Sequence, residues 1–232
     1  MFRFFPVLGL AAVVISASAA MAQGCDPLDK LVTATPAPPH DLESWRTFAR
    51  QADAVSGTKF KTQSIDLVLI GDSLAQAWDD KSWLPARVLN LGVGGDQTQH
   101  VLWRLSNADW SRLNTRRVLI ILGTNNLSAG DEPCAILFGI QKVIDKSRRL
   151  WPTARIGVMA IPPRGPDFQE DARDRIEVNQ ALKLIPGVTA INVDDAITCN
   201  WKTPCENFRS DNTHFTDAGY HVLLGKVRGA LF

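Results

Sequence analysis

The sequence predicts an α/β domain in which a parallel sheet carries helices on both faces. Three observations lead there. Five short apolar runs, mostly unbroken rather than alternating, suit strands buried on both faces. Segments with apolar residues at helical spacing lie between them. Turn residues bound each run, so strand and helix alternate along the chain. Ligands of such sheets bind beyond the carboxyl ends of the strands, which singles out the residues just after each run.

The first stretch stands apart from this domain. "MFRFFPVLGLAAVVISASAAMAQ" has Arg3, then an apolar run, then small residues ending in Ala20-Met21-Ala22. That is the layout of a secretory signal peptide, with cleavage expected after Ala22. Pro6, Gly9 and several Ser and Ala residues argue against a membrane anchor, and no later segment approaches the length of a span. Gly24-Cys25 would suit a lipoprotein, but Ala22 and Gln23 match poorly the positions before a lipidated cysteine. Taking 22 from 232 residues leaves 210, enough for one domain with a sizeable core. Loss of Arg3 also leaves 24 basic residues against 24 acidic ones. Such balance gives no reason to expect nucleic acid or an anionic membrane as partner.

Residues 23–59 are expected to form a lead-in and a helix packed on a domain spanning 60–232. "TATPAPPH" (33–40) is Pro-rich and predicts an extended strand-like approach. "DLESWRTFARQADA" then places Leu42, Trp45, Phe48 and Ala49 at helical spacing. The five predicted strands are "IDLVLIG" (65–71), "ARVLNLG" (86–92), "RVLIILG" (117–123), "ARIGVMAI" (154–161) and "VTAINVDD" (188–195). Among the helical segments, one aligns Ile136, Ile140, Val143 and Ile144, and a second Ala172, Ile176, Asn179 and Leu182. The last, after Thr216, aligns Tyr220, Leu223, Val227 and Leu231.

Four cysteines remain after cleavage: Cys25, Cys134, Cys199 and Cys205. An even number in an exported chain points to disulfides, and no C-x-x-C spacing suggests zinc. Cys199 and Cys205 flank the turn-rich "NWKTP" and are expected to close a local loop. Cys25 and Cys134 would then tie the mature N-terminus to the segment after residue 130.

The strand ends carry the chemistry. The first run stops on Gly71-Asp72-Ser73, the second leads into "GVGGDQTQHVLWRL", the third into "GTNN", and near the C-terminus stands "SDNTHFTDAGYH". Each has an ordinary reading as well. Gly-Asp-Ser is good turn and helix-cap chemistry, and "GVGGDQ" has Gln97 where a dinucleotide loop needs its third glycine, so no nucleotide cofactor is expected. Together they meet one chemical need. A serine hydroxyl is a weak nucleophile that requires a base, which His214 can supply, and Asp211 can hold the imidazole in its working tautomer. An oxyanion needs fixed donors, which the N–H of Ser73, the N–H of Gly95 and the Asn125 amide can provide.

These four blocks resemble the SGNH or GDSL hydrolases, and within them the branch of the catalytic subunits of intracellular platelet-activating-factor acetylhydrolase. "IGDSLAQAW", "NLGVGGDQTQHVLWRL", "GTNN" and "DNTHFTDAGY" follow that branch in order and roughly in spacing, over about residues 60–232. The resemblance implies Ser73 as nucleophile, Asp211 and His214 as its triad partners, and Gly95 and Asn125 as oxyanion donors. It also implies a flavodoxin-like three-layer α/β/α sandwich with a five-stranded parallel sheet of order 2-1-3-4-5, and no metal or other cofactor. Asn126 stands where many of these hydrolases have Asp, as it does in the acetylhydrolase branch. The signal peptide and the cysteines depart from the intracellular relatives.

The expected reaction is hydrolysis of a carboxylic ester through an acyl-enzyme, on a small-molecule, glycan or lipid ester. Leu74, Thr124 and Thr213 adjoin the catalytic positions and are expected to line a small acyl pocket suited to acetyl groups. A periplasmic lysophospholipase or thioesterase, and an acetyl esterase of polysaccharide, are the alternatives; a non-catalytic binding module is remote. Trp78, Trp83, Trp103, Trp110 and Trp201 could stack on sugars, but most lie in helical patterns that predict core positions.

Overall fold

A computed structural model describes residues 25–57 and 64–232. The expected signal peptide, its cleavage site and the junction near residue 60 lie outside the described residues. Two helices lead in, α1 (Pro27–Ala34) and α2 (Leu42–Ser56). The sheet is built from β1 (Leu67–Gly71), β2 (Val88–Gly92), β3 (Arg117–Ile121), β4 (Arg155–Met159) and β5 (Val188–Ile191). All pairs are parallel, in the order β2-β1-β3-β4-β5. Between and after the strands come α3 (Ser73–Gln76), α4 (Thr98–Ser106), α5 (Thr124–Ser128), α6 (Pro133–Leu150), α7 (Ala172–Leu182), α8 (Asp194–Ile197) and α9 (Asp217–Leu231).

Every strand is shorter than its apolar run. β1 and β2 begin two residues into their runs and keep Gly71 and Gly92 in the ladder, β4 stops before Ala160 and Ile161, and β3 and β5 stop before Gly123 and Asn192. The strands themselves face both ways. Val68, Ile70, Val118 and Ile120 pack with Phe48 of α2 and with residues of α4, α6 and α7. Leu67, Leu69, Leu119 and Ile121 pack on the other side with α3, α8 and α9. The result is the three-layer sandwich, with two cores separated by the sheet. Strand order reverses between β1 and β3, which opens a crevice at their carboxyl ends. At Gly71 a Cβ would run into the carbonyl of Ile121, so glycine is what lets β1 and β3 close on each other here.

Three local expectations are corrected. Thr33 and Ala34, expected in the extended stretch, are the last residues of α1, and that stretch begins only at Thr35. Asp26 caps this helix, accepting the Leu28 N–H at 2.7 Å, and Pro27 opens it. Helix α2 is turned about its axis: Leu42 and Trp45 are exposed, at 65% and 41%, while Ser44, Thr47, Phe48 and Val55 are buried. Trp45 instead meets Trp103 edge-on, with ring centroids 4.9 Å apart. Likewise α7 leaves Ile176 exposed and buries Arg175, whose Nη1 reaches both Asp194 oxygens at 3.0 Å. In contrast, Ile136, Ile140, Val143 and Ile144 are fully buried, as are Leu223, Val227 and Leu231.

Two disulfides link Cys25 to Cys134 and Cys199 to Cys205. The first staples α1 to the start of α6. Hydrogen bonds from Thr33 Oγ1 to the Ala135 carbonyl and from Thr98 Oγ1 to the Thr33 carbonyl, both 2.7 Å, hold the same junction. No helix among the described residues is long and apolar enough to cross a membrane.

Candidate active site

β1 ends at Gly71, and Asp72 caps the short helix α3 by accepting the Leu74 N–H at 2.9 Å. Ser73 is therefore the first residue of a helix at the carboxyl edge of the sheet, half-buried beside the crevice. Its Oγ lies 2.8 Å from His214 Nε2, and His214 Nδ1 lies 2.8 Å from Asp211 Oδ2. The other Asp211 oxygen accepts the backbone N–H groups of Thr213 and His214, both at 2.9 Å. Burial raises the Asp211 pKa, but these N–H donors and the imidazole outweigh it and bring the carboxyl down to about 2. A permanently ionised Asp211 makes Nδ1 the protonated nitrogen of His214, which leaves Nε2 free to accept from the serine.

The loop carrying Asp211 and His214 is held on several sides. The Arg209 N–H donates to the His214 carbonyl at 2.7 Å, and Gly165 donates to the Asn212 carbonyl at 2.9 Å. The Tyr220 hydroxyl donates to the Leu74 carbonyl at 2.9 Å, tying α9 to the turn that presents Ser73.

The predicted oxyanion donors come from the loops after β2 and β3. Gly95 has a left-handed φ of +75°, and a Cβ there would fall 2.6 Å from His40 Nε2. Asn125 Nδ2 donates one hydrogen to the Asp96 carbonyl at 3.0 Å, which binds the two loops together and leaves its second N–H free. The N–H groups of Ser73 and Gly95 have no acceptor among the described residues. Asn126, fully buried, locks the same junction: its Oδ1 accepts the Thr98 N–H at 3.1 Å and its Nδ2 donates to Asp131 at 2.8 Å.

The three residues expected around the acyl group are placed unequally. Leu74 is 1% exposed and packs in one core cluster with Trp78 and Trp83. Thr124 is buried, and Thr213 is half-buried with its hydroxyl on the Asp211 carbonyl at 3.3 Å. Of the tryptophans, Trp78, Trp83 and Trp110 are core residues, and Trp201 is 47% exposed on the Cys199–Cys205 loop.

Sequence reasoning missed the layer beneath the site. Arg104, on α4, is 1% exposed and reaches Asp96 Oδ2 with Nε and Nη2, each at 2.7 Å, and the Leu91 carbonyl with Nη1 at 2.8 Å. Burial raises the Asp96 pKa to about 6, opposed by the charge and hydrogen bonds of Arg104. Asp96 Oδ1 has no partner among the described residues, and it shares a cluster with His40 and His100, their ligand atoms within 4.8 Å of one another. The donor chemistry does not suit a metal. The Gln97 N–H donates to His100 Nδ1 at 3.0 Å, so in the neutral ring Nε2 carries the proton and cannot ligate. No spacing rule on the sequence would have paired Asp96 with Arg104 or brought His40 to Gly95.

A parallel sheet of this order, with a serine and a histidine joined at its switch point, defines a hydrolase of the α/β/α class. The chain belongs to the GDSL-like Lipase/Acylhydrolase family, whose model matches residues 69–222. It is 30% identical over 176 residues to platelet-activating factor acetylhydrolase IB subunit alpha2 of Homo sapiens, covering 69% of this chain and 73% of that one. With the alpha1 subunit of Rattus norvegicus it shares 29% over 180 residues, 74% and 77% of the two chains. Among solved structures, a GDSL-like lipase from Bacteroides thetaiotaomicron VPI-5482 superposes with a TM-score of 0.62 at 15% identity, over 81% of this chain and 96% of that one. A Streptococcus pneumonia chain reaches 0.69 at 18% identity, over 82% and 93%. The protein is a carboxylic-ester hydrolase.

Proposed function

We propose that the protein is an exported serine esterase that cleaves short-acyl esters, chiefly acetyl esters, through an acyl-enzyme. The observation that carries this reading is the hydrogen-bonded line Asp211–His214–Ser73, with 2.8 Å at each step. Ser73 Oγ attacks the ester carbonyl while His214 Nε2 takes its proton. The oxyanion is met by the N–H groups of Ser73 and Gly95 and the free N–H of Asn125. Collapse breaks the bond to the alcohol, which leaves with the proton from His214. Water then attacks the acyl-serine with the same base and releases the acid. Asp211, ionised from about pH 2 upward, faces the imidazolium formed in each half.

Short acyl length is supported by the enclosure of Leu74 and Thr124, which offers a chain little apolar surface beyond its first carbons. Each methylene left in water forfeits about 0.8 kcal/mol of burial. The acetylhydrolase relatives agree with it. Export is supported by the N-terminal pattern and by two disulfides, which suit an oxidising compartment.

The test is Ser73→Ala with a series of p-nitrophenyl esters. The variant should fold and lose turnover by about 10⁴-fold or more, and the wild-type protein should prefer acetyl and butyryl over decanoyl esters in kcat/KM. Turnover by the variant near the wild-type rate would remove the serine from the mechanism. A preference that climbs steadily with chain length would replace the acetyl reading with a lysophospholipase.

A further inference from the structure

We propose that His40 is a positioning residue for the reaction: it holds the peptide between Gly94 and Gly95 in the orientation that presents the Gly95 N–H to the oxyanion. This rests on the serine-esterase reading and deepens it. It also gives the lead-in, which precedes the family match over residues 69–222, a part in shaping the oxyanion hole.

The segment between β2 and α4 has two adjacent glycines, and its backbone is tied at almost every residue. The Val93 N–H donates to the Gly71 carbonyl at 3.0 Å and the Gly94 N–H to Gln76 Oε1 at 2.6 Å. The Asp96 N–H donates to the Val93 carbonyl at 3.3 Å and the Gln97 N–H to His100 Nδ1 at 3.0 Å. From 93 to 97, the Gly95 N–H alone has no acceptor among the described residues. The bond from Asp96 to Val93 closes a four-residue turn. Its third residue, Gly95, has a φ of +75°, while Gly94 lies outside the positive-φ region, and the two together mark a type II turn. Type I and type II turns differ by reversal of the central peptide, here the one that carries the Gly95 N–H. Glycine at both central positions admits either form. Reversal would point that N–H to the opposite face and take it out of the oxyanion hole. The turn stands beside the nucleophile, since a Cβ added at Gly94 would lie 3.9 Å from Ser73 Cβ.

His40 selects between the two forms. A Cβ added at Gly95 would fall 2.6 Å from His40 Nε2 and 2.7 Å from Cε1, so this ring edge covers the face where a side chain would stand. A positive φ turns the preceding carbonyl toward that same face. In a trans peptide the N–H points the opposite way, so the Gly94 oxygen is on the imidazole side and the Gly95 N–H is directed away from it. The ring edge suits an oxygen. Asp41 Oδ2 lies 3.3 Å from His40 Nε2 and draws the ring hydrogen to that nitrogen. The Ser44 N–H and hydroxyl, with His40, keep the Asp41 carboxyl below the usual carboxylate range. A reversed peptide would set its N–H against this N–H, donor against donor. The ring is itself fixed from both sides along the chain. Pro38 and Pro39 restrict the backbone before it, the Ala37 N–H donates to the Gln99 carbonyl at 3.1 Å, and Asp41 caps α2 by accepting the Ser44 N–H at 2.7 Å.

The experiment compares His40→Phe, which keeps a ring without the N–H, with His40→Gln, whose amide nitrogen can stand at Nε2. With p-nitrophenyl acetate, His40→Phe should lower kcat about tenfold at unchanged KM, the loss expected when about nine molecules in ten hold the reversed peptide. His40→Gln should return to within about threefold of wild type. Asp41→Asn keeps the helix cap, removes the carboxylate and leaves the ring in place, and should lower kcat about threefold at unchanged KM. A methylphosphonyl group on Ser73 puts an oxygen at the oxyanion position, and labelling should move the Gly95 amide proton resonance downfield in wild type and His40→Gln, far less in His40→Phe. Wild-type kcat in His40→Phe or in Asp41→Asn would overturn the proposal, as would a loss in His40→Gln as large as in His40→Phe or an equal Gly95 shift in all three proteins. A crystal structure of His40→Phe should show the peptide reversed, and a retained type II turn would likewise overturn the proposal. Wild-type protein inert toward p-nitrophenyl acetate would overturn the esterase reading instead, and that crystal structure would still decide the turn.

Discussion

Replacing Asp72 by Asn should make the protein more stable at alkaline pH than at acid pH, relative to wild type. Asp72 is 1% exposed; its Oδ1 accepts the Leu74 N–H, and its Oδ2 has no partner among the described residues. Burial raises its pKa from 3.8 to about 7, opposed by the Leu74 N–H and reinforced by the charge of Asp96. The folded protein therefore holds this proton more tightly than the unfolded chain. Its favourable contribution is complete below about pH 4 and is lost as the pH rises through 7. The full difference corresponds to about 4 kcal/mol, of which about 2.5 kcal/mol falls between pH 5 and pH 8. Asparagine keeps an oxygen for the Leu74 N–H and stays neutral throughout. Urea denaturation of both proteins at pH 5 and pH 8 should show the variant gaining about 2.5 kcal/mol on wild type across that interval. The other titrating groups are common to both proteins and cancel from the comparison. A variant-minus-wild-type difference that stays constant would show that the carboxyl is already ionised, or already paired, in the folded state.

Asn125→Ala should lower kcat by about 10²–10³ with little change in KM, because its free N–H acts on charge present only in the transition state; a pure rise in KM would make it a binding residue. Gly95→Ala meets both a φ of +75° and the His40 ring, so a loss of about 1–3 kcal/mol in stability is expected together with a fall in kcat. Unchanged thermal unfolding would mean that the loop relaxes freely. Serine at both Cys25 and Cys134 opens a link across 109 residues and should cost about 4–5 kcal/mol on the chain-entropy account, read as a lower unfolding temperature under non-reducing conditions.

What could be read from the sequence follows a physical division. The central strands β1, β3 and β4 were visible because they are buried on both faces and so spell unbroken apolar runs, while the edge strands β2 and β5 are half-buried and admit Asn90 and Thr189. The faces of α6 and α9 were visible for a related reason, since each lies flat on the sheet. Ser73, His214 and Asp211 were legible because they sit at strand ends or in one short loop, where topology brings them together. The faces of α2 and α7 were misjudged because polar side chains there are buried, Ser44 and Thr47 on α2 and Arg175, against Asp194, on α7. Apolar periodicity cannot anticipate a buried hydroxyl or guanidinium whose partner lies on another element.

The separation of Ser73 from His214 has a consequence for the making of the protein. The hydroxyl and its base are 141 residues apart in the chain. At about 5–20 residues per second, a ribosome needs roughly 7–28 s to travel between them. Throughout that interval the nascent chain carries a serine no more reactive than any other, because nothing is yet present to take its proton. Hydrolytic power thus arrives late and all at once, when β5 has joined the sheet edge and the loop before α9 has closed over Ser73. A chain threaded through a membrane in extended form would be harmless to the esters of the compartment that made it, with no inhibitor or propeptide needed to keep it so.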